Sequence, residues 1–390
     1  MSEYTANAAA PTVFGWDVGG AHVKVSAASA EGRLADVVQW ACPLWQGLPH
    51  LERVIDEVLA RWPSAAAPNT RHAVTMSGEM VDLFADRAEG VRILVQTLAA
   101  RLAGAVRFFA GNDGWLAADE AIAHWRTVAS ANWLATAQWV ATRVPDALLI
   151  DIGSTTTDIV PIVDARVAAR GVNDATRLVT GELAYHGVVR TPLCGIAHRI
   201  AFRGESAGVM NEWFATSADI YRLTGELWPP HDQHPSADNG AKTIAASCAR
   251  LARTIGRDAA DASIDEWRCF AHTWRHEQLR TIGACIAQVR DAHPQLAAAP
   301  LVGAGCGRFL VAALARETAH AYVDFSALTG AVTDTQAAHA CAATPHDGSD
   351  TAAEWIATCA PSVAVALLMA TPAGNARPAA SRTNATAHAA

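Results

Sequence analysis

The chain has 390 residues, of which 51% are hydrophobic and 17% are charged, so it can bury a sizeable core and is long enough for two domains. A net charge of −8, with no Lys/Arg run interleaved with aromatic residues, argues against nucleic acid as a partner. Eight scattered cysteines without a Cys-x-x-Cys pair favour reduced thiols in a cytoplasmic protein, and no apolar run is long enough to predict a membrane anchor.

The first half of the chain is predicted to alternate short strands with helices. The segments "TVFGWDVGG" and "HVKVSAAS" are typical of two strands joined by a tight glycine turn, and "HAVTMSG" and "AVRFFAG" of two further strands. The apolar spacing in "LERVIDEVLARW" predicts a helix. An Ala- and Trp-rich run from Trp115 to Val144 ends at Pro145, which marks the end of this half.

The second half opens with another predicted strand, "ALLIDIG". Residues 198–300 have a mostly helical pattern, with long helices predicted over 243–260 and 264–292. The segment "PLVGAGCGRFLVAALARE" predicts a strand, three alternating glycines and a helix. A helix over 352–370 is expected to pack back toward the first half. The terminal segments 1–11 and 371–390 hold few large apolar residues and are predicted to be disordered.

The two halves share a repeated hairpin, seen by comparing "VFGWDVGGAHVKVS" with "LLIDIGSTTTDIVPI". In each, a strand ends in Asp and turns through glycine into a second strand, which leaves backbone N–H groups and small polar groups at the tip. Such a nest of donors suits phosphate oxygens, and the carboxylate suits Mg²⁺ held through its waters. An ordinary hairpin turn explains either copy alone, but the repetition favours a shared phosphate site. The predicted metal ligands are Asp17 and Asp151, and the predicted phosphate-binding residues are Gly19, Gly20, Gly153, Ser154, Thr155 and Thr156.

Two further motifs are candidates for ligand contacts. Gly303, Gly305 and Gly307 are predicted to form a strand-to-helix turn beside a bound ligand, although glycines needed only for close helix packing give the same pattern. A dinucleotide-binding fingerprint is disfavoured, since its third glycine would fall at Arg308. Glu79 follows a short strand and is a candidate general base in a loop over the cleft, with a solvated loop glutamate as the alternative.

Taken together and in order, these motifs resemble those of a known superfamily. The two hairpins and "LVGAGCG" resemble the two phosphate motifs and the adenosine motif of the actin, Hsp70 and sugar-kinase superfamily. Within it, "TMSGEMVDLFADRAEGV", "IDIGSTTTDIVPI" and "GELAYHGVVRTPL" are similar to the hydantoinase/oxoprolinase A branch, and "GWDVGGAHVKV" is similar to tetrahydromethanopterin-linked C1-transfer pathway proteins. The resemblance covers about residues 12–370. One departure is His22, where relatives usually carry Asn.

The resemblance implies an α/β protein with the two-lobed actin-like ATPase (ribonuclease H-like) fold. The lobes are expected over residues 12–146 and 147–370, with a helical insertion at about 198–300 in the second lobe. His22 is expected to join the phosphate-binding residues of the first turn.

The implied function is a transferase of methanofuran-type cofactor biosynthesis. It would join an aminomethyl-furan-methanol diphosphate to the phenol oxygen of γ-glutamyltyramine and release diphosphate, with Mg²⁺ as cofactor. Lys24, expected at an exposed hairpin, and Asp151 would serve the leaving group, and Glu79 would serve the phenol. Two alternatives stay open: an ATP-dependent hydantoinase/oxoprolinase-like hydrolase or small-molecule kinase, and a non-catalytic nucleotide-dependent assembly protein. ATP is not favoured, and a homo-oligomer is left open.

Overall fold

A computed structural model describes residues 11–330 and 348–370 of the chain. Apart from Pro11, the terminal segments predicted to be disordered lie outside the described residues. Most of the described chain is organised around two β-sheets, each flanked by helices.

The first sheet has the strand order β3-β2-β1-β4-β5-β6. Its strands are β1 (Val13–Val18), β2 (His22–Ala28), β3 (Leu34–Ala41), β4 (Arg71–Met76), β5 (Ala105–Phe109) and β6 (Trp115–Leu116). The first three strands are antiparallel, whereas β4 and β5 run parallel to β1. Every residue of β1 is buried, as expected for a central strand that is covered on both faces.

The second sheet repeats this arrangement with the order β10-β8-β7-β13-β14. Its strands are β7 (Ala147–Ile152), β8 (Thr157–Val163), β10 (Leu183–Ala184), β13 (Leu301–Ala304) and β14 (Tyr322–Asp324), and β9 (Arg166–Val167) pairs with β8. Strands β7 and β8 again form an antiparallel hairpin, and β13 and β14 run parallel to β7. This duplication confirms the predicted two-lobed, actin-like α/β fold class, while the predicted domain boundaries stay a prediction.

Helices of the first half precede the second sheet, and one more lies between β9 and β10. They are α1 (Pro49–Arg61), α2 (Arg87–Arg101), α3 (Ala118–Ala123), α4 (Trp125–Val128), α5 (Asn132–Ala141) and α6 (Asp174–Thr180). In α1 the buried residues recur at helical spacing, as the sequence pattern predicts.

Residues 198–300 contain the predicted helices and a hairpin that the sequence did not indicate. The hairpin consists of β11 (Arg199–Phe202) and β12 (Glu205–Gly208), and the helices are α7 (Ser217–Thr224), α8 (Ile244–Arg253) and α9 (Ile264–Ala292). Helix α9 has the predicted bounds because Ser263 caps its first turn and Glu266 completes a capping box. Helix α8 ends earlier than predicted, since the chain turns after Arg253 and reaches a positive φ at Gly256.

The C-terminal part of the described chain holds α10 (Arg308–Glu317), α11 (Phe325–Leu328), α12 (Gly348–Thr358) and α13 (Ala360–Ala370). The prediction of one helix over 352–370 is wrong, because α12 and α13 meet at an angle of 82°. Pro361 has no N–H to donate to the carbonyl of Ala357 four residues earlier, so the helix cannot continue through it. That carbonyl instead accepts a hydrogen bond from the N–H of Gly305, at 2.8 Å.

Helices α5 and α13 lie between the two sheets and join them in one apolar cluster, which includes Ala73 of the first sheet and Leu149 of the second. Helix α13 packs directly on β1, where the carbonyl of Ser362 lies 2.0 Å from the position a Cβ would occupy on Gly15. Within the described residues no single helix is long and apolar enough to cross a membrane, and only the bent pair of 351–358 and 360–370 passes such a test by length and composition.

Candidate functional site

The turns of the two repeated hairpins line one cavity of about 400 Å³. The structure thus brings together the predicted residues Gly19, Gly20, His22, Gly153, Ser154, Thr155 and Thr156, with Asp17 and Lys24 also in the wall. This geometry follows from the fold, because each hairpin contains a central strand of its own sheet and ends at the same cleft.

The register of the hairpins shows that they are equivalent to the level of single residues. Asp17 of β1 lies opposite Lys24 of β2, and Asp151 of β7 lies opposite Asp158 of β8. In the first hairpin the Lys24 Nζ atom is 3.3 Å from Asp17 Oδ2. In the second, both partners are acidic, and Asp158 instead pairs with the buried Arg177 guanidinium at 2.9 Å. The repeat therefore places three carboxylates and one lysine around the cleft.

Burial and the neighbouring charges shift the pKa values of these groups. It raises the pKa of Asp17, against the opposing effect of the Lys24 ammonium. Burial, with the added repulsion of Asp158 and Asp17, raises the pKa of Asp151 to about 7, and Lys24 partly offsets this. Burial alone would lower the pKa of Lys24, but the Asp17 carboxylate raises it, so Lys24 stays charged. The cleft thus holds more carboxylates than its lysine can neutralise.

This excess of carboxylate fits the predicted Mg²⁺ site. Asp17 Oδ1 is buried, and none of the described residues donates a hydrogen bond to it. Burial, and then the repulsion of Asp158, raises the pKa of Asp151 to about 7, and a bound cation would favour its ionised form. Hard carboxylate oxygens are the ligands that Mg²⁺ takes, usually with several waters retained. No group of three His, Cys, Asp or Glu side chains in the described ranges forms a ready metal centre, so the fit rests on these two acids.

The first turn is shaped by close backbone approach. A Cβ on Gly20 would lie 2.6 Å from Val81 Cγ1, and one on Gly19 would lie 2.8 Å from the carbonyl of His22. His22 itself is buried, with its ring edge-on to His234 at 4.6 Å. Burial and then the neighbouring His234 hold the pKa of His22 well below its usual range. A neutral imidazole therefore stands where an amide was expected, and its Nε2 has no hydrogen-bond partner among the described residues.

The second turn presents its hydroxyls to the cavity. The Gly153 N–H closes the turn on the Thr156 carbonyl at 2.8 Å, and Ser154, Thr155 and Thr156 are all partly exposed at the cavity wall. The Ser154 carbonyl accepts hydrogen bonds from the N–H groups of Val189 and Arg190. A Cβ on Gly187 would lie 2.3 Å from the Thr155 nitrogen, so the segment after β10 supports the turn from behind.

Three predicted site residues differ from their expected surroundings. Lys24 is not at an exposed hairpin tip, because it lies within β2 with its side chain 20% exposed and paired to Asp17. Asp151 is partly exposed but does not line the cavity, and its Oδ1 would be 2.4 Å from a Cβ on Gly305. Glu79 is fully buried and is not a solvated loop residue. Its Oε1 accepts a hydrogen bond from the Ser130 hydroxyl at 2.8 Å, and Ser130 lines the cavity.

The glycines of the predicted ligand turn lie apart from this cavity. Gly303 packs under the ring of Tyr322, and Gly307 packs against Ile152 and Val188. Gly305 has φ of +80° and donates its N–H to Ala357. Close packing accounts for all three glycines, and their contact with a ligand stays a prediction.

Residues 71–341 match the model of the Hydantoinase/oxoprolinase family. The chain belongs to the hydantoinase/oxoprolinase family. This range includes the second hairpin and Glu79, so the predicted family is confirmed on the segments that suggested it.

Two relatives of this hydantoinase/oxoprolinase protein carry the same name, (4-{4-[2-(gamma-L-glutamylamino)ethyl]phenoxymethyl}furan-2-yl)methanamine synthase. The protein from Methanocaldococcus jannaschii is 30% identical over 272 residues, which cover 69% of this chain and 79% of the relative. The protein from Methanococcus vannielii is 34% identical over 121 residues, or 31% of this chain and 54% of that one. Both names denote a synthase, so the prediction of an enzyme is confirmed, and the predicted function is supported at the level of the family.

Among solved structures, the activator of the 2-hydroxyisocaproyl-CoA dehydratase from Clostridium difficile is similar over 92% of this chain and 94% of that one. The sequence identity is 11% and the TM-score is 0.43.

The structure of this hydantoinase/oxoprolinase family member also shows site residues that sequence reasoning missed. Arg190 lines the cavity, its Nη1 lies 3.5 Å from Thr155 Oγ1, and its guanidinium lies 5.1 Å from the ring centre of Trp45 in the first lobe. No carboxylate in the described part of the chain pairs with it. Burial lowers the pKa of Arg190. Its position in "GELAYHGVVRTPL", a stretch that carried the family resemblance, was the available signal.

Proposed function

We propose that this enzyme joins an aminomethyl-furan-methanol diphosphate to the phenol oxygen of γ-glutamyltyramine and releases diphosphate. The observation that carries the proposal is the single cavity lined by both hairpin turns, with Lys24 and Arg190 as cations and three hydroxyls in its wall. The names of the two relatives describe a molecule with this phenoxymethyl-furan linkage. Donors and cations from both sides would contact a diphosphate leaving group, and the carboxylates beside them suit the Mg²⁺ that accompanies it.

In this reaction the bond between the furfuryl carbon and the diphosphate oxygen breaks, and a bond forms between that carbon and the phenol oxygen. The electron pair of the broken bond leaves on diphosphate, and the phenol loses its proton. The furan oxygen delocalises positive charge at the carbon as the leaving group departs. The protein therefore has mainly to stabilise negative charge on the diphosphate, which is the task of fixed donors and cations.

Residues of both lobes would stabilise the negative charge on the diphosphate. Lys24 and Arg190 face the diphosphate from the first and second lobe, and the Ser154, Thr155 and Thr156 hydroxyls and turn N–H groups donate to its oxygens. Asp17 and Asp151 would hold Mg²⁺, which when bound neutralises further negative charge on a diphosphate. The Asp17 carboxylate also keeps Lys24 protonated, as the raised pKa of Lys24 indicates.

Glu79 would act on the phenol through Ser130. Its carboxylate does not line the cavity, but the Ser130 hydroxyl that donates to it does. Burial raises the pKa of Glu79, which makes its carboxylate a stronger base than an exposed glutamate. Ser130 has φ of 51°, a left-handed conformation that is uncommon for residues other than glycine and is concentrated at functional sites.

The test is a nucleotide-free assay with purified protein, the furfuryl diphosphate, γ-glutamyltyramine and Mg²⁺. We expect the ether and diphosphate in equal amounts, because the energy for bond formation already lies in the activated substrate. Lys24→Gln should lower kcat by about 100-fold, the order found when one preorganised donor is removed from a charge-stabilising site. Lys242→Gln is the matched control, since Lys24 and Lys242 are the only lysines in the sequence and Lys242 pairs with Asp232 outside this cavity.

Strict dependence on ATP, with ADP and phosphate formed in step with product, would overturn the proposal in favour of the ATP-dependent alternative. If the Lys24 and Lys242 variants lost activity equally, the positive charge of Lys24 in this cavity would not be what stabilises the leaving group.

A further inference from the structure

A second and larger cavity, of about 1060 Å³, lies beside the diphosphate cavity. The two share Ser130 and Trp133, so they adjoin at the residue that contacts Glu79. Its walls come from both lobes, with α5 and the segment before it on one side and β9 and the start of α6 on the other. Its volume is slightly above the range of about 300–1,000 Å³ that is usual for small-molecule sites.

The wall nearest the shared residues is aromatic and apolar. Trp125, Trp133 and Leu134 line it, and Trp133 is held in place by the Arg177 guanidinium, which lies 3.9 Å from its ring centre. Rigid aromatic walls suit a flat aromatic ligand, which gains contact area at little cost in side-chain entropy. The first cavity, in contrast, is lined mainly by glycines, hydroxyls and charges.

The remaining wall carries positive charge that other residues do not neutralise. Arg126 and Arg166 are both exposed at the second cavity, and within the described ranges neither forms an ion pair. Arg87, which also lines it, is already paired with Asp174 at 2.6 Å. The Arg126 guanidinium lies 4.5 Å from the ring centre of Trp125, which orients it. An oriented, unpaired guanidinium is a ready partner for a carboxylate.

We propose that this second cavity binds the phenol acceptor, with the ring against Trp133, the phenol oxygen at Ser130 and an acidic tail at Arg126 and Arg166. The inference rests on the proposed function, which supplies the acceptor as γ-glutamyltyramine. It adds that the enzyme recognises the glutamyl carboxylate of that acceptor, and so selects against tyramine. Asp113, exposed on the same wall, would face the glutamyl ammonium.

The test compares Arg126→Gln and Arg166→Gln with the matched control Arg143→Gln. Arg143 is also exposed and lies 4.4 Å from the ring centre of Trp139, but it does not line the cavity. In each cavity variant we expect KM for γ-glutamyltyramine to rise by roughly tenfold, the worth of one charge-assisted contact. The loss should be larger for γ-glutamyltyramine than for tyramine, which lacks the carboxylate, and Arg126→Lys should restore part of it. Ala175→Trp, at an exposed lining position, should block both acceptors without disturbing the core.

Calorimetric binding of γ-glutamyltyramine alone keeps this test separate from catalysis. Binding that weakens in Arg126→Gln and Arg166→Gln supports the inference even where no ether forms, which would count only against the proposed reaction. Ether formation with unchanged KM in both arginine variants would overturn the inference and leave the proposed reaction standing. Equal use of tyramine and γ-glutamyltyramine by the wild type would also overturn it.

Discussion

At the scale of single residues, the cleft holds two carboxylates near a single lysine. Arg177 satisfies Asp158, whereas Asp17 and Asp151 share Lys24 alone. A carboxylate buried without enough positive charge either takes a proton or recruits a cation. At the position opposite the aspartate of each first strand, the first hairpin has Lys24 and the second has Asp158, so the two hairpins together carry three carboxylates and one lysine.

His72 permits a pH prediction away from the cleft. The Trp16 indole donates to its Nδ1 at 3.1 Å, and burial lowers the pKa of His72 to about 4. Unfolded His72 takes a proton below about pH 6.5, whereas folded His72 stays neutral until about pH 4. The free energy of unfolding should thus fall as the pH drops through this window, by up to about 3 kcal/mol from this residue. In urea titrations from pH 7.5 to 4.5, the free energy of unfolding of His72→Gln should fall less steeply than that of the wild type. An identical fall would show that His72 does not cause this pH dependence.

The turn residues of the site could be predicted because a hairpin is local and its pattern occurs twice. Gly19, Gly20 and Ser154 to Thr156 reach the cavity by strand register alone. Arg190, Trp133 and Ser130 could not be placed in the same way, since they reach the cavity through tertiary packing. The sequence likewise suggested a carboxylate at Glu79 but not that Ser130 stands between it and the cavity.

At the scale of elements, sequence patterns predicted the helices and strands that are determined by residues close together in the chain. Helix α9 was predicted with its observed bounds, because a capping residue and a long apolar stripe define it. The β11–β12 hairpin was missed, since its strands have only four residues each and alternate weakly. The bend between α12 and α13 depends on Pro361 together with Gly305, which are far apart in sequence.

The contact of α13 with β1 predicts that Gly→Ala destabilises the protein at Gly15, whereas the same substitution elsewhere stabilises it. Gly15→Ala would place a methyl group 2.0 Å from the Ser362 carbonyl, so we expect it to destabilise the protein by about 2 kcal/mol or more. Gly283→Ala is the control. Gly283 lies inside α9 with no atom near its would-be Cβ, and alanine there should stabilise by about 0.5–1 kcal/mol. Denaturant midpoints of both variants check the prediction, and it fails if Gly15→Ala is as stable as the wild type.

At the scale of the whole molecule, the two lobes are joined by α5 and α13 and meet again at the cleft. Neither hairpin turn encloses the cavity alone. A ligand that contacts both turns therefore links the lobes, and its binding free energy adds to the stability of the joined state.

Inorganic diphosphate with Mg²⁺ should accordingly stabilise the protein against thermal unfolding. At a thousandfold excess over Kd the gain is about 4 kcal/mol, which would raise Tm by several degrees. Asp17→Asn in the first lobe and Arg190→Gln in the second should each remove most of this ligand-induced shift, measured against the same variant without ligand. Asp82→Asn is the matched control, because Asp82 lines the same cavity but is exposed. A shift that survives the loss of either Asp17 or Arg190 would mean that diphosphate binds to one lobe only, and the shared cavity would then not be the diphosphate site.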